Sequence, residues 1–105
     1  MDCVFDKNSL IIDGKRTFIK SGSLHYFHTF GKKEWQDRLS KMKAGGYNAV
    51  DLYFCWSFHS PKPDFYDFSD YKNICELLSI ARDLGLFIIA RPGPYINAEL
   101  SGGGI

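Results

Sequence analysis

Long apolar runs are missing from this 105-residue sequence, and so is any excess of charge of one sign. The longest apolar stretch, Leu84 to Ala90, is broken by Gly85 and falls far short of the roughly 20 residues that span a bilayer, so no membrane partner is expected. Thirteen basic against twelve acidic residues leave a net charge of +1. The one short basic cluster, Lys32-Lys33 with Lys41 and Lys43, lies on a helical stretch whose other face is apolar. It reads as a solvated face, and no nucleic-acid partner is expected. Cysteine is scarce. Cys3, Cys55 and Cys75 are odd in number and widely spaced, as expected for reduced thiols outside a disulfide framework. There is no CxxC pair and no helical HxxxH pair, so neither a metal nor another cofactor is expected. Met1 is followed by Asp2-Cys3 with no apolar run; no secretory signal is read, and a cytoplasmic location is the expectation.

What is present suits a folded unit. The chain is 45% hydrophobic and 16% aromatic, which excludes disorder on composition. Residues 3 to 27 read as β structure, with a hairpin at Asp13-Gly14 between Ser9–Ile12 and Arg16–Ile19. Gly22 to Phe27 reads as a further strand. A helix is predicted from about Lys33 to Ala44, with Trp35, Leu39 and Met42 at helical spacing and Gly45-Gly46 as its stop. Asn48 to Phe54 is the next strand and Cys55 to Asp67 a loop. A second helix is predicted from a Ser69 N-cap to about Leu84, its inner face formed by Tyr71, Ile74, Leu77, Leu78 and Ala81. Leu86 to Arg91 closes the series as a short buried strand.

The order after the hairpin is β-α-β-α-β, with right-handed crossovers and strands apolar on both faces. Such a unit starts either a doubly wound sheet or a (β/α)8 barrel. No GxGxxG or GxxxxGK[ST] follows any strand, and Gly102-Gly103-Gly104 opens no helix, which argues against the nucleotide-binding folds. Polar and aromatic residues instead gather just past the strand ends, where barrels keep their active sites: His25-Tyr26-Phe27-His28, Tyr53-Phe54-Cys55-Trp56 and Tyr95-Ile96-Asn97-Ala98-Glu99. Aromatic rings beside a carboxylate and an amide suit a sugar, which offers C–H faces for stacking and hydroxyls for hydrogen bonding. The fold class expected is α/β, about three βα units of a (β/α)8 barrel after a β-hairpin.

Several stretches together resemble glycoside hydrolase family 35, the retaining β-galactosidases. Ser21-Gly22-Ser23-Leu24-His25-Tyr26-Phe27 is similar to the first barrel strand of that family. Trp35-Gln36-Asp37-Arg38-Leu39 with Lys41 to Asn48 is similar to its first helix and exit into strand two. Leu52 to His59 resembles the end of strand two, Phe65 to Asp70 the entry to helix two, and Arg91-Pro92-Gly93-Pro94-Tyr95-Ile96-Asn97-Ala98-Glu99 the loop after strand three. The resemblance implies that Tyr53 reaches a galactose hydroxyl, that Glu99 accepts hydrogen bonds from sugar hydroxyls, and that Asn97 and Ala98 line the same subsite. Four positions depart from the family pattern: His28 where arginine is common, Cys55 where proline is frequent, Ser60 where glutamate is common, and Leu100 where tryptophan or valine is usual.

Retaining glycosidases need two carboxyl groups roughly 5–5.5 Å apart. In the family these follow strands four and seven, so the resemblance implies no catalytic residue within these 105 residues. Residues 1–105 then form an incomplete catalytic domain that ends after strand three and is inactive alone. Its exposed barrel edges lead to self-association. The other readings are a different β-glycosidase of the same clan and a non-enzymatic truncated product or carbohydrate-binding module. Residue by residue, His25 is expected to be hydrogen-bonded beneath the site, Trp56 and Phe58 to pack loops, and Arg91 to hold neighbouring loops or a buried carboxylate. Cys55 with His59 is not expected to bind a metal.

Overall fold

Asp13 and Gly14 both take positive φ, 51° and 80°, the backbone that a tight hairpin turn demands and that Asp-Gly supplies at low cost. The computed structural model describes residues 2–29, 31–69 and 72–96. Around that turn β2 (Leu10–Ile12) and β3 (Lys15–Thr17) pair antiparallel, and β1 (Cys3–Phe5) adds antiparallel to β2. Only Ile12 of this small sheet is buried, while Phe5 and the following Phe18 are largely exposed.

A second sheet begins at β4 (Ser21–Ser23) and continues through β5 (Ala49–Tyr53) and β6 (Phe87–Arg91), all parallel, in the order β4-β5-β6. Helix α1 (Lys32–Ala44) connects β4 to β5. A short helix, α2 (Trp56–His59), and a longer one, α3 (Ile74–Asp83), connect β5 to β6. Asn48 pins the foot of this sheet. Its side chain donates to the Phe18 carbonyl and accepts from the Lys20 amide, both at 2.8 Å, while its own carbonyl accepts from Phe87 N–H at 2.8 Å. One residue therefore ties the hairpin exit to the start of two strands.

The core lies between the parallel sheet and its two long helices. Trp35 and Leu39 of α1 meet Leu77, Ile80 and Ala81 of α3 over Val50 and Leu52 of β5. Trp35 is fully buried, and its indole N–H donates to the Thr29 carbonyl at 3.0 Å, so its one polar group is satisfied. The sheet can lie close to α1 because Gly22 has no side chain: a Cβ there would sit 2.8 Å from the Met42 terminal methyl.

Four expectations are corrected. The stretch Gly22–Phe27 is not one strand, because Tyr26–His28 forms a single 3-10 turn. Successive residues of a strand point to opposite faces, whereas here both Tyr26 and Phe27 are buried. The loop from Cys55 contains α2. The second long helix starts at Ile74, not after Ser69, because Asn73 accepts the Glu76 amide at 3.1 Å while the Ser69 hydroxyl is bound to Asp67. Asn73 followed three residues later by Glu76 is itself a capping-box signal. Tyr71, expected on the inner face of that helix, lies outside the described residues; Ile80 is buried there and Leu78 half-buried. Finally, the helices cover one face of the sheet only. The strand residues that alternate with Val50, Leu52 and Ile88 present Ser23, Asp51, Tyr53, Ile89 and Arg91 on the other face.

Candidate functional site

The C-terminal ends of β4, β5 and β6 bring the candidate residues together. Ladder pairing sets Ser23 beside Asp51 and Tyr53 beside Arg91, so these four share one face. Asp51 is the only charged residue in an otherwise apolar β5, and it is 6% exposed. Its Oδ2 lies 2.8 Å from Arg91 Nη2, while its Oδ1 is buried without a hydrogen-bond partner among the described residues. Arg91 Nη1 donates to the Tyr53 hydroxyl at 2.7 Å, and the guanidinium carbon lies 4.8 Å from the Tyr53 ring centroid. A buried carboxylate, a guanidinium and a phenol thus form one chain across two adjacent strands.

His25 extends this floor toward β4. Its ring stacks on Phe27 at 5.4 Å and meets Tyr53 edge-on at 6.1 Å. Among the described residues, His59, at the end of α2, is a histidine with both ring nitrogens hydrogen-bonded. Its Nδ1 faces the Asp67 carbonyl at 3.0 Å, an acceptor only, so Nδ1 carries the proton. Its Nε2 then accepts from the Tyr26 hydroxyl at 2.8 Å, and that hydroxyl accepts the Cys55 amide at 3.3 Å. Protonating His59 would reverse the Tyr26 bond and leave the phenolic hydrogen without an acceptor. Burial pushes the His59 pKa down and the Tyr26 pKa up. Both imidazole nitrogens of His59 are engaged in hydrogen bonds. No group of His, Cys, Asp and Glu suited to a metal ion occurs among the described residues.

Two loops are held over this floor by aromatic contacts. Trp56 Nε1 donates to the Pro92 carbonyl at 2.6 Å, joining the segment after β5 to the segment after β6. Gly93 lies beneath the same indole with φ +86°, and a Cβ there would come within 3.2 Å of Trp56 Nε1. Ile96 is buried and anchors the loop just before the expected subsite residues. Phe58 packs against the core, so Trp56 and Phe58 both act in loop packing, as their sequence context suggested.

Of the four residues expected to bind a sugar, Tyr53 stands half-buried at the strand end with its hydroxyl bound by Arg91. Asn97, Ala98 and Glu99 lie outside the described residues. Arg91 does hold a buried carboxylate, but sequence reading did not identify it as Asp51. The available signal was a single acidic residue inside an apolar parallel strand, a position where charge is rare unless paired. The Tyr26–His59 pair was also missed, since neither residue carries a local mark of the other.

The fold is that of an α/β protein, with these candidate groups at the C-terminal edge of a parallel sheet. The sequence model of the family described as Glycosyl hydrolases family 35 matches residues 9–105, and the chain belongs to that family. It is 46% identical over 102 residues to a protein of Aspergillus niger named probable beta-galactosidase C, covering 96% of this chain and 10% of that one. A probable beta-galactosidase C of Talaromyces marneffei is 45% identical over 101 residues, covering 95% and 10%. A probable beta-galactosidase B of Sclerotinia sclerotiorum is 41% identical over 100 residues, covering 94% and 10%. The chain spans about a tenth of the length of these curated relatives. Among solved structures, an endocellulase of Pyrococcus horikoshii has a TM-score of 0.49 at 23% identity, over 77% of this chain and 27% of that one.

Proposed function

We propose that this chain forms the first three βα units of a (β/α)8 barrel in a retaining β-galactosidase, which hydrolyses terminal non-reducing β-D-galactosyl residues. The observation that carries the reading is the family match over residues 9–105, with the relatives' printed names. The parallel sheet, with helices on one face and Tyr53 at its C-terminal edge, fits that reading. In it Tyr53, Asn97, Ala98 and Glu99 bind the galactosyl unit. The two catalytic carboxyl groups lie outside these 105 residues, and the chain alone is inactive. Asp51 is not assigned as one of them: it is buried and ion-paired with Arg91. A barrel of this kind takes about 250 residues to close. The open edges of β4 and β6 favour self-association when residues 1–105 are made alone.

The test is hydrolysis of nitrophenyl β-D-galactoside by the full-length protein, with the anomer of the first-formed sugar followed by NMR. Release of β-galactose, with little turnover of the matching glucoside and mannoside, is the expected result. Preferred hydrolysis of either competitor would replace the reading with another β-glycosidase.

A further inference from the structure

We infer that Asp51 and Arg91 are positioning residues that make Tyr53 a hydrogen-bond donor toward the bound sugar; this rests on the reading of Tyr53 as a galactoside-binding residue. A guanidinium has donors only, so the 2.7 Å contact from Arg91 Nη1 requires the Tyr53 oxygen to accept. The phenolic proton must then turn away from the guanidinium. Among the described residues no acceptor takes it, including Asp51, whose Oδ1 is without a partner. Its acceptor then lies outside the described residues, and in this inference the bound sugar takes that place. Tyr53 therefore offers its O–H to an acceptor oxygen, and it does not freely exchange donor and acceptor roles as an unrestrained tyrosine would.

Asp51 makes this arrangement rigid. It lies two residues before Tyr53 on the same face of β5, nine-tenths buried, and holds Arg91 Nη2 at 2.8 Å. Arg91 is in turn the ladder partner of Tyr53 on β6, so all three groups stand on paired strands. The guanidinium carbon, 4.8 Å from the ring centroid, adds a cation–π contact that limits ring rotation. A purely structural ion pair would not need to engage the phenol at all.

The experiment is calorimetric binding of methyl β-D-galactoside and its monodeoxy and monodeoxyfluoro analogues to the full-length protein. Fluorine accepts a hydrogen bond but donates none. At the hydroxyl that Tyr53 meets, the fluoro analogue should bind about twofold tighter than the deoxy analogue, the low end for one neutral hydrogen bond because carbon-bound fluorine is a weak acceptor. Tyr53→Phe should bring that ratio to about one. Arg91→Met should lower it toward one, and Arg91→Lys, which keeps a donor, should restore part of it. Should Arg91→Met alone fail to fold, Asp51→Leu combined with Arg91→Met leaves no unpaired buried charge and reads the same ratio. A native ratio retained in either Met variant, while Tyr53→Phe abolishes it, overturns the inference and leaves Tyr53 as a sugar ligand. Unchanged binding of every analogue in Tyr53→Phe would instead remove Tyr53 from the site, and the inference with it.

Discussion

Individual side chains here are tied to partners far away in the chain, and the Tyr26–His59 pair shows what such a tie does. His59 is buried and needs its neutral form to accept from Tyr26, and burial is the main cause of its lowered pKa. Besides Tyr26, Asp67 faces it through its carbonyl and its carboxylate charge, both of which raise the pKa, and Lys72 lowers it. A histidine with a folded pKa below the ordinary value of about 6.5 contributes its full stability above that value. The contribution is lost as pH falls through the folded value, because the unfolded chain binds the proton more readily. Urea midpoints of the native protein should therefore fall between pH 7.5 and pH 5, and the fall should be smaller in His59→Gln. Equal slopes in the two proteins would show that His59 does not control this window. Asp6 is a separate case at lower pH. Its Arg16 partner holds its carboxyl down to about 2, so its contribution is present above the ordinary carboxylate range and is lost only in strong acid.

Elements depend on a few end signals, and one of these lies where local preference did not place it. Ser69 is a good cap by type, yet its hydroxyl and amide both bind Asp67, which forms a turn of its own. Asn73 caps α3 instead. Asn73→Ala should cost about 1 kcal/mol in denaturant unfolding, the usual loss for a removed N-cap. Ser69→Ala removes an exposed bond and should stay within about 0.5 kcal/mol. The reverse order would mean that the helix begins earlier, with Ser69 as its cap. The strands carry a comparable lesson. Tyr26 alternates correctly for a strand, but its hydroxyl is needed by both Cys55 and His59, and a 3-10 turn brings it there.

At the scale of the whole molecule, apolar surface and open backbone edges are the dominant property. Phe5, Phe18 and Ile89 are exposed, and β4 and β6 each have one edge without a strand partner among the described residues. Flat or open edges of this kind pair with other chains, and exposed apolar residues seek cover. Residues 1–105 made alone should sediment as oligomers whose size rises with concentration, and Ile89→Lys should shift them toward monomer. A monomer at every concentration would contradict this expectation.

The hairpin at Asp13-Gly14, the helix near Lys32–Ala44 and the parallel strands β5 and β6 were legible from sequence because their causes are local. They are a turn that needs positive φ, apolar residues at helical spacing, and short runs bounded by glycine. The family was legible for a different reason, since its motifs cover nearly the whole chain. Tyr53 entered as a candidate through the family resemblance, which says nothing of the state of its hydroxyl. That state depends on Arg91, 38 residues away, and on a buried Asp51 two residues before it. Likewise Tyr26 meets His59 across 33 residues. Local rules act on neighbouring backbone, so they determined the elements. Strand register and packing decided which side chains meet, because only the folded sheet sets distant residues within hydrogen-bond reach of one another.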